Sequence, residues 1–168
     1  MKTEIYAGID VGLDDGIVVT HNGAIHFQTA MPTINLGKGR KLDVVTAHRI
    51  IQAVKDDGGT FIIEDPGGHA PSAAGLRSMS LGFGALEALL IVGELRHQVV
   101  RAQKWQKHFW SKPKMAIGQK FDTKAAALCA ANRIWPAHDW TKSERASKAH
   151  DGMVDAALMT EWGRINRI

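Results

Sequence analysis

The stretch EIYAGIDVGLDDGIVVTHNGAIHFQT, residues 4–29, decides the fold. From Glu4 to Asp10, Ile5, Ala7 and Ile9 alternate with Tyr6 and Gly8, the period-two pattern of a strand. Ile17 to Thr20 reads as a second strand and Ala24 to Thr29 as a third. His21-Asn22-Gly23 joins them, and Asn-Gly between two apolar runs is the strongest short hairpin signal. The first of these strands ends in a carboxylate, Asp10.

Downstream, strands alternate with helices. Met31 to Lys41 reads as a loop containing proline, glycine and three basic residues. Asp43 can cap a helix running to about Lys55, with Val44, Ala47, Ile51 and Val54 on one face, and Asp56-Asp57-Gly58-Gly59 stops it. Thr60 to Glu64 is a short apolar strand ending in acids, and Pro66-Gly67-Gly68 ends that strand. A loop to about Leu81 precedes a helix from Phe83 to His97, read from the spacing of Leu86, Leu89, Leu90 and Gly93. Gln98 to Ala102 is the last strand, and helices follow near 103–110, 122–134 and 149–164. The sum is a mixed α/β sheet with helices on its faces.

The 168 residues, without internal repeat or low-complexity segment, suit a single domain, 1–168, with one real core. No apolar run is expected to cross a bilayer, and the N-terminus lacks the apolar stretch of a signal peptide. Cys129 lies in an alanine-rich helical pattern and reads as a packing residue in a reducing compartment. No Cys/His spacing resembles a zinc site. The net charge of +4 hides an asymmetry: Gln98 to Lys148 holds 11 Lys and Arg against 3 acids, while the rest holds 10 against 14. A basic block beside an acidic remainder suggests a polyanionic partner, with the acids reserved for another task.

Those acids are placed, not scattered. Asp10 and Glu64 end two strands, and open α/β sheets build their sites outside the carboxyl ends of strands. In SKAHDGMVDAALMTEW, residues 147–162, Asp151 and Asp155 stand four apart on one helix face, beside His150. Carboxylates gathered at close range need a countercharge. Mg²⁺ takes hard oxygen ligands of this kind, and two such ions about 4 Å apart can activate water and stabilise a leaving oxygen in phosphodiester hydrolysis. Taken singly, each acid also reads as an ordinary strand end, turn or helix cap. The segment after Gln98 interleaves Lys104, Lys107, Lys112, Lys114, Lys120 and Lys124 with Trp105, Phe109, Trp110 and Phe121. Cations follow phosphates, while aromatics stack on exposed bases or pack in the core. In the loop after Glu64, Arg77, Met79, Leu81 and Phe83 suit the probing of opened DNA, and Phe83 equally suits a core position.

The motifs YAGIDVGLDDGIVV, FIIEDP, LGFGALEALLIVGEL, VVRAQKWQKHF, KAAALCAANRIWP and HDGMVDAALMTEW, in this order, resemble the RuvC-type Holliday-junction resolvases of the RNase H-like superfamily. The phage and chloroplast branch is the most similar in flavour, with a Trp-Lys-like element after the last strand, here Lys104-Trp105-Gln106-Lys107-His108. The resemblance implies a five-stranded RNase H-like sheet, a homodimer, a cytoplasmic setting, and symmetric nicking of four-way DNA junctions. It implies two Mg²⁺ ions per site, with Mn²⁺ as a substitute. Position by position it makes Asp10, Glu64, Asp151 and Asp155 the metal-binding acids and sets Lys124 near the scissile phosphate. The residues' own chemistry, apart from the resemblance, makes Arg77, Phe83, Lys104, Lys107, His108, Lys112, Lys114 and Lys120 the expected DNA contacts. Bacterial members often space the last two ligand positions by three, not four, so the inner ligand is either His150 or Asp151. The apolar helix at 83–97, with Gly82, Gly84 and Gly93 allowing close approach, is the expected dimer interface. Other RNase H-like nucleases, acting on RNA–DNA hybrids or on branched DNA generally, share these acids. A non-catalytic DNA-binding module would not explain four placed acids. GIDVG also resembles the phosphate loop of actin-like sugar kinases, which need two such domains and a far longer chain.

Overall fold

The computed structural model describes residues 3–37, 39–67, 72–116 and 118–168. The opening stretch folds as its pattern predicts. Strand β1 (Ile5–Ile9) pairs antiparallel with β2 (Gly16–His21), setting Ile5 opposite His21 and Ile9 opposite Ile17. Asn22 and Gly23 take φ of +50° and +80° and turn the chain into β3 (Ala24–Ala30). On its other side β1 pairs parallel with β6 (Thr60–Asp65), and β6 pairs parallel with β7 (His97–Arg101). The sheet order is β3-β2-β1-β6-β7, a five-stranded mixed sheet in which the hairpin supplies the antiparallel half.

Alternation along β1 and β6 divides the core. Ile5, Ala7, Ile9, Phe61 and Ile63 face α1 (Val44–Asp56) and α2 (Ala73–Val92). Tyr6, Ile62 and Val100 face α3 (Ala102–Phe109), α4 (Thr123–Ile134) and α5 (Asp151–Ile165). α1 begins where its cap was expected, since Asp43 accepts from the Thr46 N–H at 3.1 Å and from its hydroxyl at 2.7 Å.

α5 sits flat on β1 and β2. Every residue from Gly152 to Gly163 is buried except Asp155, which is half-buried. Such close approach needs glycine: a Cβ on Gly8 would collide with the Ala156 carbonyl, and one on Gly152 with the Asp15 backbone. Within this packing the buried Glu161 is held by Arg164, whose Nη2 donates at 2.7 Å.

Five expectations are corrected. The segment expected as a loop from Met31 to Lys41 contains a two-stranded ribbon, β4 (Thr33–Leu36) with β5 (Gly39–Leu42), turned at Gly37 with φ of +63°. α2 starts at Ala73, inside the expected loop, because Ser72 accepts from the Gly75 N–H at 3.0 Å and caps it. It ends at Val92 rather than His97, where Glu94 at φ of +52° turns the chain toward β7. The rest of that loop, Gly68 to Pro71, lies outside the described residues, as does Lys38. Cys129 is exposed on α4, not packed; the buried phase there belongs to Ala127, Ala130 and Ala131. Finally, α2 is long and apolar enough to cross a membrane by length and composition alone, and 17% of its most apolar window is buried. Leu86 and Leu90 enter the core, while Leu81, Ile91 and Val92 remain exposed.

Candidate active site

Two strand ends and one helix start converge at the carboxyl end of β1. Asp10 follows β1 directly and its N–H donates to the Gly16 carbonyl at 3.0 Å, which closes the turn Val11–Asp15. Glu64 lies near the end of the neighbouring parallel strand β6. Asp155 projects from α5, the one half-buried residue in its run, because the facing sheet has ended there. Asp151 occupies the first turn of α5 and is half-exposed.

A fifth carboxylate, Asp15, joins them. It folds back over Gly12, where a Cβ would meet its Oδ2, and its backbone abuts Gly152 of α5. Its side chain hydrogen-bonds that of Asp10. The sequence held a signal for it in the Asp14-Asp15-Gly16 turn, but choosing Asp15 over Asp14 needs the fold. Asp14 points to solvent and pairs with Arg40 at 2.7 Å.

The electrostatics follow from this crowding. Burial first, then repulsion by Asp15, Glu64 and Asp155, holds the Asp10 carboxyl well above the usual carboxylate range. Burial, with Glu64, Asp15 and Asp151 around it, pushes Asp155 up to about 8 against the pull of Lys124. Glu64 rises to about 7, chiefly by burial, although a hydrogen bond from Trp105 opposes the shift. Burial also raises Asp15, despite the Gly12 N–H and Asp10.

Two contacts tie the basic segment to the acids. The indole of Trp105, fully buried, donates Nε1–H to Glu64 Oε2 at 2.7 Å. Lys124, in the first turn of α4, donates to Asp151 Oδ2 at 2.5 Å, and this bond raises the lysine's own pKa. A lysine therefore supplies the positive charge beside Asp151. His150 caps α5, its Nδ1 accepting from the Met153 N–H at 3.3 Å.

The other sequence-predicted residues spread outward from these acids. Lys107 and His108 are exposed on α3, and Lys112, Lys114 and Lys120 are exposed in the segment leading to α4. Lys104 lies over the Trp162 ring, its ammonium 5.5 Å from the centroid. Arg77 is exposed on α2 rather than in a loop, and Phe83 packs partly into the core beside α1. Phe109 and Trp110 stack edge-on against Trp105, so these aromatics support α3 from inside.

Among the described residues, no three acidic, imidazole or thiol side chains stand placed to hold a metal ion as they are. By its chemistry the donor set still suits a divalent cation: all hard carboxylate oxygens, Asp10 buried and Asp15, Glu64 and Asp155 half-buried, with raised carboxyl pKa values where positive charge is lacking. Asp10, Glu64 and Asp155 would hold it, with Asp15 and Asp151 at the margin.

No family model matches the sequence, and no curated protein does. Solved structures do. Thermus thermophilus RuvC in complex with a Holliday junction substrate superposes with a TM-score of 0.61 at 12% identity, over 97% of this chain and 96% of that one. Another Thermus thermophilus RuvC structure gives a TM-score of 0.55 at the same identity and coverage. The chain has a RuvC-type, RNase H-like fold.

Proposed function

We propose that this protein is a structure-specific endodeoxyribonuclease that resolves four-way DNA junctions by Mg²⁺-dependent, symmetric nicking. The observation that carries the reading is the convergence of Asp10, Glu64 and Asp155, all with raised pKa, at the carboxyl end of a RuvC-type sheet beside the basic α3–α4 segment. Such a site is an electrostatic burden unless it binds cations. Bound Mg²⁺, with Mn²⁺ as a substitute, would supply an activated water and stabilise the leaving oxygen.

The chain's own groups take the remaining tasks. Lys124, once its bond to Asp151 opens, can reach a non-bridging phosphate oxygen and neutralise charge that develops there. Trp105 fixes the Glu64 carboxylate. Lys107, His108, Lys112, Lys114 and Lys120 engage flanking phosphates, and Lys104 adds its charge from above Trp162. Arg77 meets DNA from α2.

Two nicks require two sites, and the exposed apolar flank of α2, with Ile91 and Val92 at its end, is the surface we assign to a second copy. Gly84 is open to such an approach; Gly82 and Gly93 face this chain's own Val11 and Leu95 instead.

The test offers one preparation a labelled immobile four-way junction, a matched duplex and an RNA–DNA hybrid, each with Mg²⁺ and with EDTA. Paired, ligatable nicks in the junction with Mg²⁺ alone are expected. Preferential cleavage of the hybrid would instead make the protein a ribonuclease of the same fold.

A further inference from the structure

The carboxyl end of the sheet has a second occupant besides the acids. β3 reaches this end at Ala30, opposite Gly16, and the β4–β5 ribbon and the start of α1 follow from it. α2 follows β6 at the same end. Between the ribbon and the N-terminal half of α2 lies an open groove of about 760 Å³. Leu13, Leu42 and Leu81 give it an apolar wall, and Arg40, Lys41 and Arg77 bring three positive charges, of which that of Arg40 is paired with Asp14.

Three features connect this groove to the site. Leu13 belongs to the turn that carries Asp10 and Asp15, three residues from Asp10, so the groove opens within about 10 Å of the acids along the chain. Arg40 donates to Asp14 at 2.7 Å and so ties the ribbon to that turn. No acid is among the described residues lining the groove, and Asp43 beside it is engaged in capping α1. Within the acidic part of the chain the groove is a basic island, and its charge suits a polyanion rather than a protein helix.

The basic segment that includes Lys124 lies on the α3–α4 face, across the sheet from α1 and α2. A strand crossing the acids with phosphates on Lys124 therefore has a continuation on the opposite side. We infer that this groove holds that continuation: unpaired nucleotides of the cleaved strand, their phosphates on Lys41 and Arg77 and their bases against Leu42 and Leu81. Leu81 is 65% exposed, as a surface offered to a base would be. The ribbon is then a second DNA-gripping arm. This inference rests on the nuclease reading above.

The experiment measures junction affinity against salt in EDTA for the wild type and for Lys41→Ala/Arg77→Ala, sparing Arg40 because it holds Asp14. The log–log slope should shrink by about 1–2, near 0.9 for each phosphate that the variant no longer neutralises. In a Cys129→Ser background, Leu81→Cys should cross-link to thiol-reactive nucleotides on one side of the nick. An unchanged slope in a variant that melts like the wild type would overturn the inference. So would Leu81→Cys cross-linking a second copy of the chain instead of DNA, which would make the groove a dimer contact. Wild-type nicking with Mg²⁺ is assayed alongside. If the wild type nicks and the slope is unchanged, the groove assignment alone fails. If the wild type never nicks yet the double variant binds more weakly, the nuclease reading fails and the groove stands as a DNA surface. If neither effect is seen, both fall.

Discussion

At the scale of single residues, Asp155 carries the sharpest expectation. It is the one half-buried position in a buried helix run, and Glu64, Asp15 and Asp151 all repel its charge. Asp155→Asn keeps the shape and removes that charge. Nicking should fall about 10²-fold or more, about 3 kcal/mol in the barrier, while junction affinity holds. The same residue predicts a pH dependence. Asp155 near 8 and Glu64 near 7 have folded-state pKa values above those of the unfolded chain. Their contribution to stability is complete below about pH 4 and is lost as pH rises through about 7 and 8. Metal-free protein in EDTA should therefore melt lower at about pH 9 than at about pH 6, and Asp155→Asn should flatten that decline. A wild-type melting temperature that rises over this interval would contradict the burial argument. Trp105 makes a separate case. Trp105→Phe keeps the ring and deletes the donor to Glu64. Nicking should drop about tenfold and the acid limb of its pH profile should move upward, since the deleted bond was holding the Glu64 pKa down. Asp10, Glu64 and Asp155 were legible in the sequence because strand ends and helix spacing are local features. Asp15 was not, because its place depends on Gly152 from the far end of the chain. The link from Trp105 to Glu64 was hidden in the same way: the residues are distant in sequence and meet only when α3 docks.

At the scale of elements, the strands and the α5 helix were readable because their periodicity is strong and burial enforces it. The ribbon β4–β5 and the first turns of α2 were missed for opposite reasons. The ribbon is exposed and short: the alternation of Thr33-Ile34-Asn35-Leu36 spans only four residues, and Gly39-Arg40-Lys41-Leu42 shows none. The α2 start is rich in Gly, Ser and Ala, residues that read as a loop unless Ser72 is recognised as the cap. The contact of α5 with the sheet gives a test of the fold itself. Gly8→Ala drives a methyl into the Ala156 carbonyl, backbone against backbone. Nothing there can rotate away, so a loss of about 1–3 kcal/mol is expected, with about 2–4 °C of melting temperature for each kcal/mol. Unchanged melting would mean that α5 rides further from β1 than this packing requires. α3 gives a prediction of another kind: Lys107→Ala removes an exposed cation without touching the core. The slope of junction binding with salt should fall by about 0.9, with folding intact.

At the scale of the whole molecule, the proposed nuclease reading gives each chain one site and so one nick. Resolving a four-way junction into ligatable duplexes needs two cuts placed symmetrically, and symmetry is what a homodimer supplies. The exposed residues Ile91 and Val92, at 58% and 84%, end a helix whose other face is already in the core. Leaving such a flank in water is unfavourable, and covering it with an identical flank joins two copies of the fold. Val92→Glu should therefore give a monomer by sedimentation at micromolar concentration without lowering the melting temperature of the isolated chain. A second measurement connects this geometry to activity. Wild-type chains are mixed with an excess of Asp155→Asn chains after brief dissociation, so that most wild-type subunits sit beside an inactive partner. On the proposed reading, each mixed dimer should still bind the junction, because its basic surfaces are complete, but should carry one working set of acids. The products should change from paired cuts to single nicks on one strand, in proportion to the fraction of mixed dimers. If paired cuts persist at full yield while the mixed species predominates, one chain performs both cuts and the dimer argument fails.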